Sequence, residues 1–301
     1  DLAIESEALP TSMGEFVQAT ARAGGDKLLW DFFESGETIT YAELGRKVQG
    51  LAAGFQGIGI GKGTHIGVML PNVAAMPLTW LAIATLCAVM IPINPGYTER
   101  ELAYVLGDGE ARFVVTTAEN AARLMSAIPP AGLHIPTDHV IVLGGSASPH
   151  LSLDSLMGAS PASLASVPVI GHDDLLNIQY TSGTTGFPKG CMLTQRYWLN
   201  AGKVNAFRDG RRYARILAST PFFYMDPQWL LLMTMYQQGT LFVAARQSGS
   251  RFLEWIREHK IEFCLLPPIT LKQPVNADDR KNSIIRANIY GVAPKLHREI
   301  E

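Results

Sequence analysis

Two patterns of apolar residues alternate along this chain. Residues 40–56 place apolar side chains at helical spacing, so that they share one face of a predicted helix. Residues 65–70 form a short, almost continuous apolar run, which is typical of a buried strand. The alternation continues with predicted helices at 73–88 and 98–107 and predicted strands at 89–93 and 111–116. It predicts a mostly parallel sheet with helices packed on its faces.

The middle of the chain, residues 128–170, is rich in Pro, Gly, Ser and Ala and holds one predicted strand at 139–143. After residue 170 the alternation resumes. Predicted strands lie at 176–180, 214–219, 240–244, 262–266 and 287–291, with a strand or turn at 190–193, and predicted helices lie at 195–207, 227–238 and 250–259. The pattern predicts an α/β fold of two stacked αβ subdomains with mostly parallel sheets, at residues 1–170 and 171–301.

One stretch, residues 73–93, is long and apolar enough to raise the question of a membrane span. Pro77 and Pro92 interrupt it, and it lacks flanking positive residues. We therefore interpret it as a buried helix that leads into a buried strand, and we expect no membrane span.

The composition favours a large buried core, because apolar residues make up 47% of the chain and charged residues only 17%. The formal net charge of −2 gives no strong field to attract nucleic acid or an anionic membrane. The acidic opening, Asp1 to Glu7, lacks the features of a secretory signal peptide. We therefore expect a cytoplasmic protein that does not bind nucleic acid.

The cysteines and histidines do not predict a metal site. Cys87, Cys191 and Cys264 lie far apart in apolar contexts, so we expect reduced core residues rather than a disulfide framework or zinc ligands. The seven histidines also lack the spacing of metal ligands. The sequence predicts no metal-ligating residue.

The candidate chemistry lies between the predicted strands 176–180 and 190–193. Hydroxyls, glycines and a lysine follow one another there: Thr181, Ser182, Gly183, Thr184, Thr185, Gly186 and Lys189. Glycines allow the backbone to approach a ligand, while hydroxyls, N–H groups and a lysine bind phosphate oxygens. The loop of nucleotide triphosphatases is excluded, because Lys189 is followed by Gly190 rather than by Ser or Thr. A phosphate-binding loop is favoured over a plain surface turn.

The run from Tyr180 to Gly190 resembles the phosphate-binding signature of the acyl-adenylate-forming superfamily, which includes acyl-CoA synthetases, adenylation domains and luciferases. Further segments resemble other motifs of that superfamily, at residues 40–44, 88–95 with 101–102, 220–224 and 290–294. The resemblance implies a layered αβαβα domain, of which this chain is the N-terminal portion without the C-terminal lid domain. The 301 residues alone are then expected to be inactive or nearly so.

The resemblance implies an acid–thiol ligase that uses ATP, Mg²⁺ and coenzyme A with a small-molecule carboxylic acid. The acid reacts with ATP to give an acyl-adenylate and pyrophosphate, and a thiol then displaces AMP. The loop residues listed above would hold the β- and γ-phosphates, with Lys189 and Thr185 as the catalytic residues. The adenine pocket would be Gly291, Val292, Ala293 and Pro294. The alternatives are an adenylation domain that loads a carrier protein and a non-catalytic nucleotide- or acyl-binding module.

The implied acyl and coenzyme A pocket comprises Phe223, Tyr224, Asp226 and Trp229. This segment looks most similar to the carnitine/crotonobetaine-CoA ligase branch, in which Asp226 would pair with a cationic substrate and Trp229 would offer a cation–π face. Asp followed by Pro is also a typical helix start, and we favour Asp226 as a helix N-cap. Tyr224 replaces a histidine found in many relatives, which puts proton transfer at this position in doubt.

Overall fold

The computed structural model describes residues 2–128, 132–144, 149–181 and 188–290. Its helices are α1 (Leu2–Ser6), α2 (Met13–Gly24), α3 (Tyr41–Gly57), α4 (Ala75–Thr85), α5 (Glu99–Asp108), α6 (Ala118–Ala127), α7 (Leu153–Met157), α8 (Gln195–Phe207), α9 (Met225–Gln237) and α10 (Phe252–Glu258). Its strands are β1 (Leu28–Phe32), β2 (Glu37–Thr40), β3 (His65–Met69), β4 (Val89–Pro92), β5 (Phe113–Thr117), β6 (Val140–Leu143), β7 (Leu151–Ser152), β8 (Leu175–Thr181), β9 (Lys189–Thr194), β10 (Arg215–Ala218), β11 (Thr240–Val243), β12 (Phe263–Leu265) and β13 (Arg286–Asn288).

These strands form two sheets. The first sheet has seven strands in the order β7-β6-β5-β3-β4-β8-β9, and the second has six in the order β13-β12-β10-β11-β1-β2. Neighbours run parallel except at one edge of each sheet, where β8 pairs with β9 and β1 with β2 in antiparallel fashion. The prediction of an α/β fold with mostly parallel sheets is therefore confirmed.

Each sheet draws strands from both sides of residue 170. Strands β8 and β9 extend the first sheet, although the rest of it precedes residue 153. Strands β1 and β2 in turn complete the second sheet, whose other strands follow residue 214. The two subdomains predicted at 1–170 and 171–301 stay a prediction, and strands cross between them in both directions.

Three apolar clusters define the layers. The central cluster lies between the two sheets and takes buried residues from α2, α3, α4, α8 and α9. The first outer cluster places α5 and α6 on the far face of the first sheet, and the second outer cluster places α10 on the far face of the second. The order is helices, sheet, helices, sheet, helix, which is the layered αβαβα arrangement that the resemblance implied.

The strands contribute to two layers because successive side chains point to opposite faces. In β3, Ile66 and Val68 belong to the central cluster, whereas Met69 belongs to the first outer cluster. In the second sheet, Ile216 faces the central cluster and Leu217 the second outer cluster. Strands buried on both faces read as continuous apolar runs, which is why the sequence pattern located them.

Two helices that follow sheet strands begin with a complete capping box. At α3 the Thr40 hydroxyl accepts from the Glu43 amide, and the Glu43 carboxylate accepts from the Thr40 amide. Thr98 and Glu101 repeat the arrangement at α5. Hydrogen bonds from the capping threonine lower the pKa of both glutamates. These bonds satisfy amides that the helix itself leaves free, so they define where each helix starts.

The apolar stretch 73–93 forms α4 followed by β4, as predicted. Every residue of α4 from Ala75 to Ala84 is buried, because the helix lies in the central cluster between other helices and both sheets. In the part of the chain that the structure describes, no helix combines the length and the apolar character needed to cross a membrane.

The cysteine prediction is wrong at one position. Cys87 and Cys264 are buried as expected, and burial raises the pKa of both thiols. Cys191 is exposed, because it lies on β9, the edge strand of the first sheet. All three thiols are free.

Candidate active site

The predicted phosphate loop joins the two strands of a hairpin at the edge of the first sheet. Thr181 ends β8 and pairs directly with Lys189, which begins β9; Tyr180 pairs with Gly190. Thr181 and Lys189 are exposed at the carboxyl end of β8, a common place for ligand binding in parallel sheets. The other loop positions lie outside the described residues: Ser182, Gly183, Thr184, Thr185 and Gly186. The structure thus brings the two ends of the predicted loop together.

Tyr180 anchors this hairpin to helix α5. Its hydroxyl donates to the Asp108 carboxylate across 2.6 Å, which ties β8 to the end of α5. Burial, followed by the hydrogen bond to Asp108, raises the pKa of the Tyr180 phenol well above its usual range. Gly190 makes room for the ring, since a Cβ there would lie 2.8 Å from Ile178 Cγ2 and 3.1 Å from Tyr180 Cζ. The stem of the loop is therefore fixed on this side.

The residues predicted to bind the acyl group lie in the acyl segment, which we define as residues 220–229. The segment runs from the end of β10 into α9. Phe222 is buried, Phe223 is half-buried and Tyr224 is 49% exposed. The rings of Phe223 and Tyr224 lie with their centroids 4.5 Å apart. Of the three aromatic side chains, Tyr224 is the one open to a ligand.

The interpretation of Asp226 as a helix N-cap is wrong. Helix α9 begins at Met225 after the N-cap Tyr224, and that N-cap makes no side-chain capping bond. Asp226 therefore lies within the first turn, where its carboxylate accepts a hydrogen bond from the Trp229 indole across 3.3 Å. Burial raises the pKa of Asp226, and the bond from Trp229 opposes this only in part. The carboxylate is thus half-buried, and among the residues that the structure describes it forms no ion pair with a cationic side chain.

Trp229 belongs to the core. Its side chain is only 7% exposed, and its ring meets Phe263 edge to face at a centroid distance of 6.4 Å. The visible role of this residue is to hold Asp226 in place through the indole N–H. A ligand at this point would therefore meet the carboxylate of Asp226 sooner than the face of the indole ring.

Two residues near the other motif segments have shifted pKa values to which the acyl segment contributes. Burial, and next the charges of Glu101 and Tyr224, raise the pKa of Tyr97. Burial, and next the charge of Asp226, likewise raise the pKa of Tyr290. The predicted adenine residues directly follow Tyr290 and lie outside the described residues: Gly291, Val292, Ala293 and Pro294.

A set of buried amides, which sequence reasoning missed, links β8 to the acyl segment. Asn177 of β8 accepts from the Trp80 indole at 2.9 Å and donates to Gln228 of α9 at 3.0 Å. Gln228 then donates to the Phe222 carbonyl at 2.8 Å. Asn177 and Gln228 are at most 1% exposed. The bonds cross from the first sheet, through the helix layer, to the acyl segment.

Two further amides complete this arrangement. Gln179, also on β8, donates to the Phe223 carbonyl at 2.7 Å. Asn72, in the connection between β3 and α4, accepts from the Phe222 amide at 3.0 Å and donates to the Ala244 carbonyl at 2.6 Å. We call the side chains of Asn72, Asn177, Gln179 and Gln228 the carboxamide network. The sequence signal for it was the alternation of polar and apolar residues within β8.

Metal binding has no visible site in the described ranges. Within them, no three His, Cys, Asp or Glu side chains lie close enough together to hold a metal ion. The prediction that the chain supplies no metal ligand stays a prediction, because part of the candidate site lies outside those ranges.

Comparison with known proteins identifies the relatives of this chain. The family model described as AMP-binding enzyme matches residues 16–294. A crotonobetaine/carnitine–CoA ligase of Salmonella paratyphi A is 28% identical over 286 residues, which are 90% of this chain and 54% of the relative. A ligase of the same name from Citrobacter koseri is 26% identical over 86% of this chain and 52% of its own length. The chain spans about half the length of these curated relatives.

Solved structures share the fold. The long-chain-fatty-acid-CoA ligase FadD1 of Archaeoglobus fulgidus superposes with a TM-score of 0.84 at 24% identity, over 98% of this chain and 61% of that one. The N-terminal domain of FACL13 from Mycobacterium tuberculosis gives a TM-score of 0.80 at 21% identity, over 96% of this chain and 72% of that one. Both likenesses concern the fold alone.

Proposed function

The chain belongs to the AMP-binding enzyme family, and from that premise we propose that the complete gene product joins a carboxylic acid to coenzyme A through an acyl-adenylate. The observation that carries the proposal is the position of the hairpin ends. Thr181 and Lys189 are paired and exposed at the carboxyl end of β8, and the acyl segment is hydrogen-bonded to the same strand. An acid on that segment and a nucleotide on that loop would be neighbours.

The proposed reaction has two steps. One carboxylate oxygen attacks the α-phosphorus of ATP, the bond from that phosphorus to the bridging oxygen breaks, and pyrophosphate leaves. The thiolate of coenzyme A then attacks the acyl carbon, and AMP leaves with the former carboxylate oxygen. Adenylation is needed because a carboxylate by itself would have to expel oxide, whereas the adenylate expels a phosphate.

In this proposal the protein acts by positioning and by stabilising charge. Lys189 places a positive charge on the phosphates, and Thr185 acts with it in the first step. Thr181, Ser182, Gly183, Thr184 and Gly186 complete the grip on the β- and γ-phosphates. Residues 291–294, which directly follow Tyr290, hold the adenine. The charge of Asp226 helps to raise the pKa of Tyr290.

Mg²⁺ belongs to the proposal as the ion that ATP carries, and it would reduce the charge of the phosphates. The charge of Lys189 is the contribution of this chain to the same task.

For the acid we propose a betaine-type molecule with a positive group remote from its carboxylate. The curated relatives are named crotonobetaine/carnitine–CoA ligases, and Asp226 is a half-buried carboxylate whose pKa burial raises. A raised pKa means that the ionised form is poorly compensated, and a ligand cation would compensate it. In Asp226→Asn the KM for crotonobetaine should then rise roughly tenfold, since the opposite charge is lost.

A carboxylate of the same shape without the cation, 5,5-dimethylhex-2-enoate, provides the control for charge. Its KM should change little in Asp226→Asn, because it has no cation to lose a partner. Equal effects on the two acids, or retained binding of crotonobetaine in Asp226→Asn combined with Trp229→Phe, would remove the idea of a charged substrate.

The proposed function is tested by exchange of labelled pyrophosphate into ATP, with crotonobetaine, carnitine and short, aromatic and long-chain acids. Exchange with one acid supports adenylation, and release of AMP that requires coenzyme A supports the ligase over an adenylation domain that loads a carrier protein. ATP binding without exchange for any acid would favour a non-catalytic binding module instead.

A further inference from the structure

The carboxamide network lies where an apolar core would be expected. Its four side chains are between 0% and 7% exposed, and they are surrounded by the central cluster. Burying an amide costs free energy that hydrogen bonds only offset, and apolar side chains of similar volume would avoid that cost. Stability alone therefore does not account for amides at these positions.

The bonds of the network end on one short piece of backbone. The Phe222 amide is bonded to Asn72, the Phe222 carbonyl to Gln228 and the Phe223 carbonyl to Gln179. Three polar groups of the Phe222 and Phe223 backbone are thus held by side chains from β8, from α9 and from the connection between β3 and α4. Their position relative to the first sheet is fixed in more than one direction.

The same face of β8 carries both the network and the start of the phosphate loop. Asn177, Gln179 and Thr181 alternate along the strand, so they point to one side of the sheet. Ile178 and Tyr180 point to the other side, into the first outer cluster. The acyl segment is therefore bonded to the strand face that leads directly into the loop.

Gln179 has the clearest single role within the network. Its side chain is 6% exposed, and among the described residues its buried carbonyl oxygen has no hydrogen-bond partner. Its side-chain nitrogen donates a hydrogen bond to the Phe223 carbonyl, and this is the side-chain hydrogen bond that the described residues show for Gln179. A half-satisfied buried amide is costly to the fold, so its value must lie in where it holds Phe223.

We propose that Gln179, supported by Asn177 and Gln228, is a positioning residue that sets the acyl segment at the correct distance from the phosphate loop for adenylation. The inference rests on the proposed function. Attack on phosphorus requires the reacting atoms to approach within about 3–3.5 Å in line. The network acts on the backbone of the acyl segment, and none of these side-chain hydrogen bonds involves either described loop end, Thr181 or Lys189.

The test is Gln179→Met in the complete gene product, because methionine fills a similar volume and cannot donate to the Phe223 carbonyl. In pyrophosphate exchange we expect the KM for the acid to rise about tenfold and the KM for ATP to change less than about twofold. Hydrogen–deuterium exchange of a peptide covering residues 219–225 should also become faster, with no acid present.

Gln195→Met is the matched control. Gln195 is fully buried, and its side chain accepts from the Met13 amide, away from the acyl segment. The same substitution there removes a buried hydrogen bond and should lower stability, yet it should leave the ratio of the two KM values unchanged. If Gln179→Met does not fold, Gln228→Met removes the neighbouring bond to Phe222 and is expected to give the same split.

The outcomes separate the two proposals. A wild-type protein that exchanges pyrophosphate, combined with a Gln179→Met variant whose KM values are unchanged or rise together, overturns the positioning role alone. A wild-type protein that exchanges with no acid overturns the proposed function. In that case hydrogen–deuterium exchange of the peptide 219–225 tests whether the network anchors the acyl segment. Faster hydrogen–deuterium exchange in Gln179→Met supports this anchoring, and an unchanged rate overturns it.

Discussion

The two faces of strand β8 are held in opposite ways. On one face Ile178 and Tyr180 pack into the first outer cluster, and a single hydrogen bond from Tyr180 to Asp108 completes the contact. On the other face Asn177 and Gln179 bond to Gln228 and to the Phe223 carbonyl. One face is fastened by burial of apolar surface, and the other by directional bonds between buried amides.

The two kinds of contact suit different roles. Apolar burial is strong but non-directional, so it holds the strand in the sheet without fixing small displacements. Hydrogen bonds contribute less net free energy but specify distance and direction. The polar face therefore fits a role in aligning the acyl segment with the loop, and the apolar face fits a role in stability.

The largest effect is expected for Lys189→Ala, at the residue of β9 that pairs with Thr181 at the end of the polar face. Loss of the positive charge from the hairpin should slow pyrophosphate exchange by roughly a hundredfold or more, while the melting temperature stays close to that of the wild type because Lys189 is exposed. Lys281→Ala removes an exposed lysine from a surface ion pair and should change neither quantity. Wild-type exchange in Lys189→Ala would contradict the assignment of the loop.

On the apolar face, Ile178→Ala should reduce the free energy of unfolding by about 2–5 kcal/mol. The side chain is 7% exposed and packs in the first outer cluster, so the truncation leaves a cavity. Denaturant titration measures the loss, and the same change at Ile269, which is 50% exposed, is the comparison. The distinction between the two faces fails if Ile178→Ala changes the KM for the acid, expressed as a free energy, by more than it changes the free energy of unfolding.

A smaller loss, of about 1–2 kcal/mol, is expected for Tyr180→Phe. The substitution keeps the ring under Gly190 and removes only the donor to Asp108. Tyr236→Phe is the matched control, because the buried Tyr236 hydroxyl has no hydrogen-bond partner in the part of the chain that the structure describes, so its removal should not destabilise the protein. Equal stability changes in the two variants would show that the Asp108 bond contributes nothing.

The smallest effect, and one of opposite sign, is expected for Asp226→Asn in the absence of ligand. Burial raises the pKa of Asp226 in the folded state, so the ionised carboxylate destabilises the fold at neutral pH, and the penalty disappears as pH falls through the raised pKa. The variant should therefore melt at a higher temperature than the wild type at pH 7, with a smaller difference near pH 4.

Asp173→Asn serves as the control for this pH dependence. Its side chain is 87% exposed in a surface ion pair with Arg196, and such pairs contribute little to stability. Its melting temperature should follow the wild type at both pH values. A difference for Asp226→Asn that grows toward low pH would contradict the sign of the shift.

Much of the fold was predictable because its parallel strands are buried on both faces. Runs such as residues 66–69 are apolar and buried throughout, and the helix between β9 and β10 was predicted with the bounds that it has, 195–207. The sequence reading did not assign α2, β1, β2 and α6. The pairing of β1 with β11 was also out of reach, because it joins residues more than 200 positions apart and leaves no local pattern.

The sequence predicted the ligand-binding residues of the candidate site but not the buried hydrogen bonds that hold them in place. The run of hydroxyls, glycines and Lys189 follows from local composition, and its resemblance to a family added the roles. The carboxamide network was missed because Asn177 and Gln179 read as interruptions of an apolar strand. Their spacing of two residues, continued by Thr181, was the available signal. Asp226 was misassigned since the pair Asp-Pro favours a cap, whereas α9 already begins at Met225.

The most direct test of the account follows oxygen from the acid. The complete gene product would be incubated with ATP, coenzyme A and a carboxylic acid labelled with ¹⁸O in both oxygens, using the acid that supports exchange. We predict one ¹⁸O in the AMP that is released, because the carboxylate oxygen attacks the α-phosphorus and stays on it. Thioester formation with unlabelled AMP, or with the label in inorganic phosphate, would contradict an acyl-adenylate and with it the function proposed for the loop.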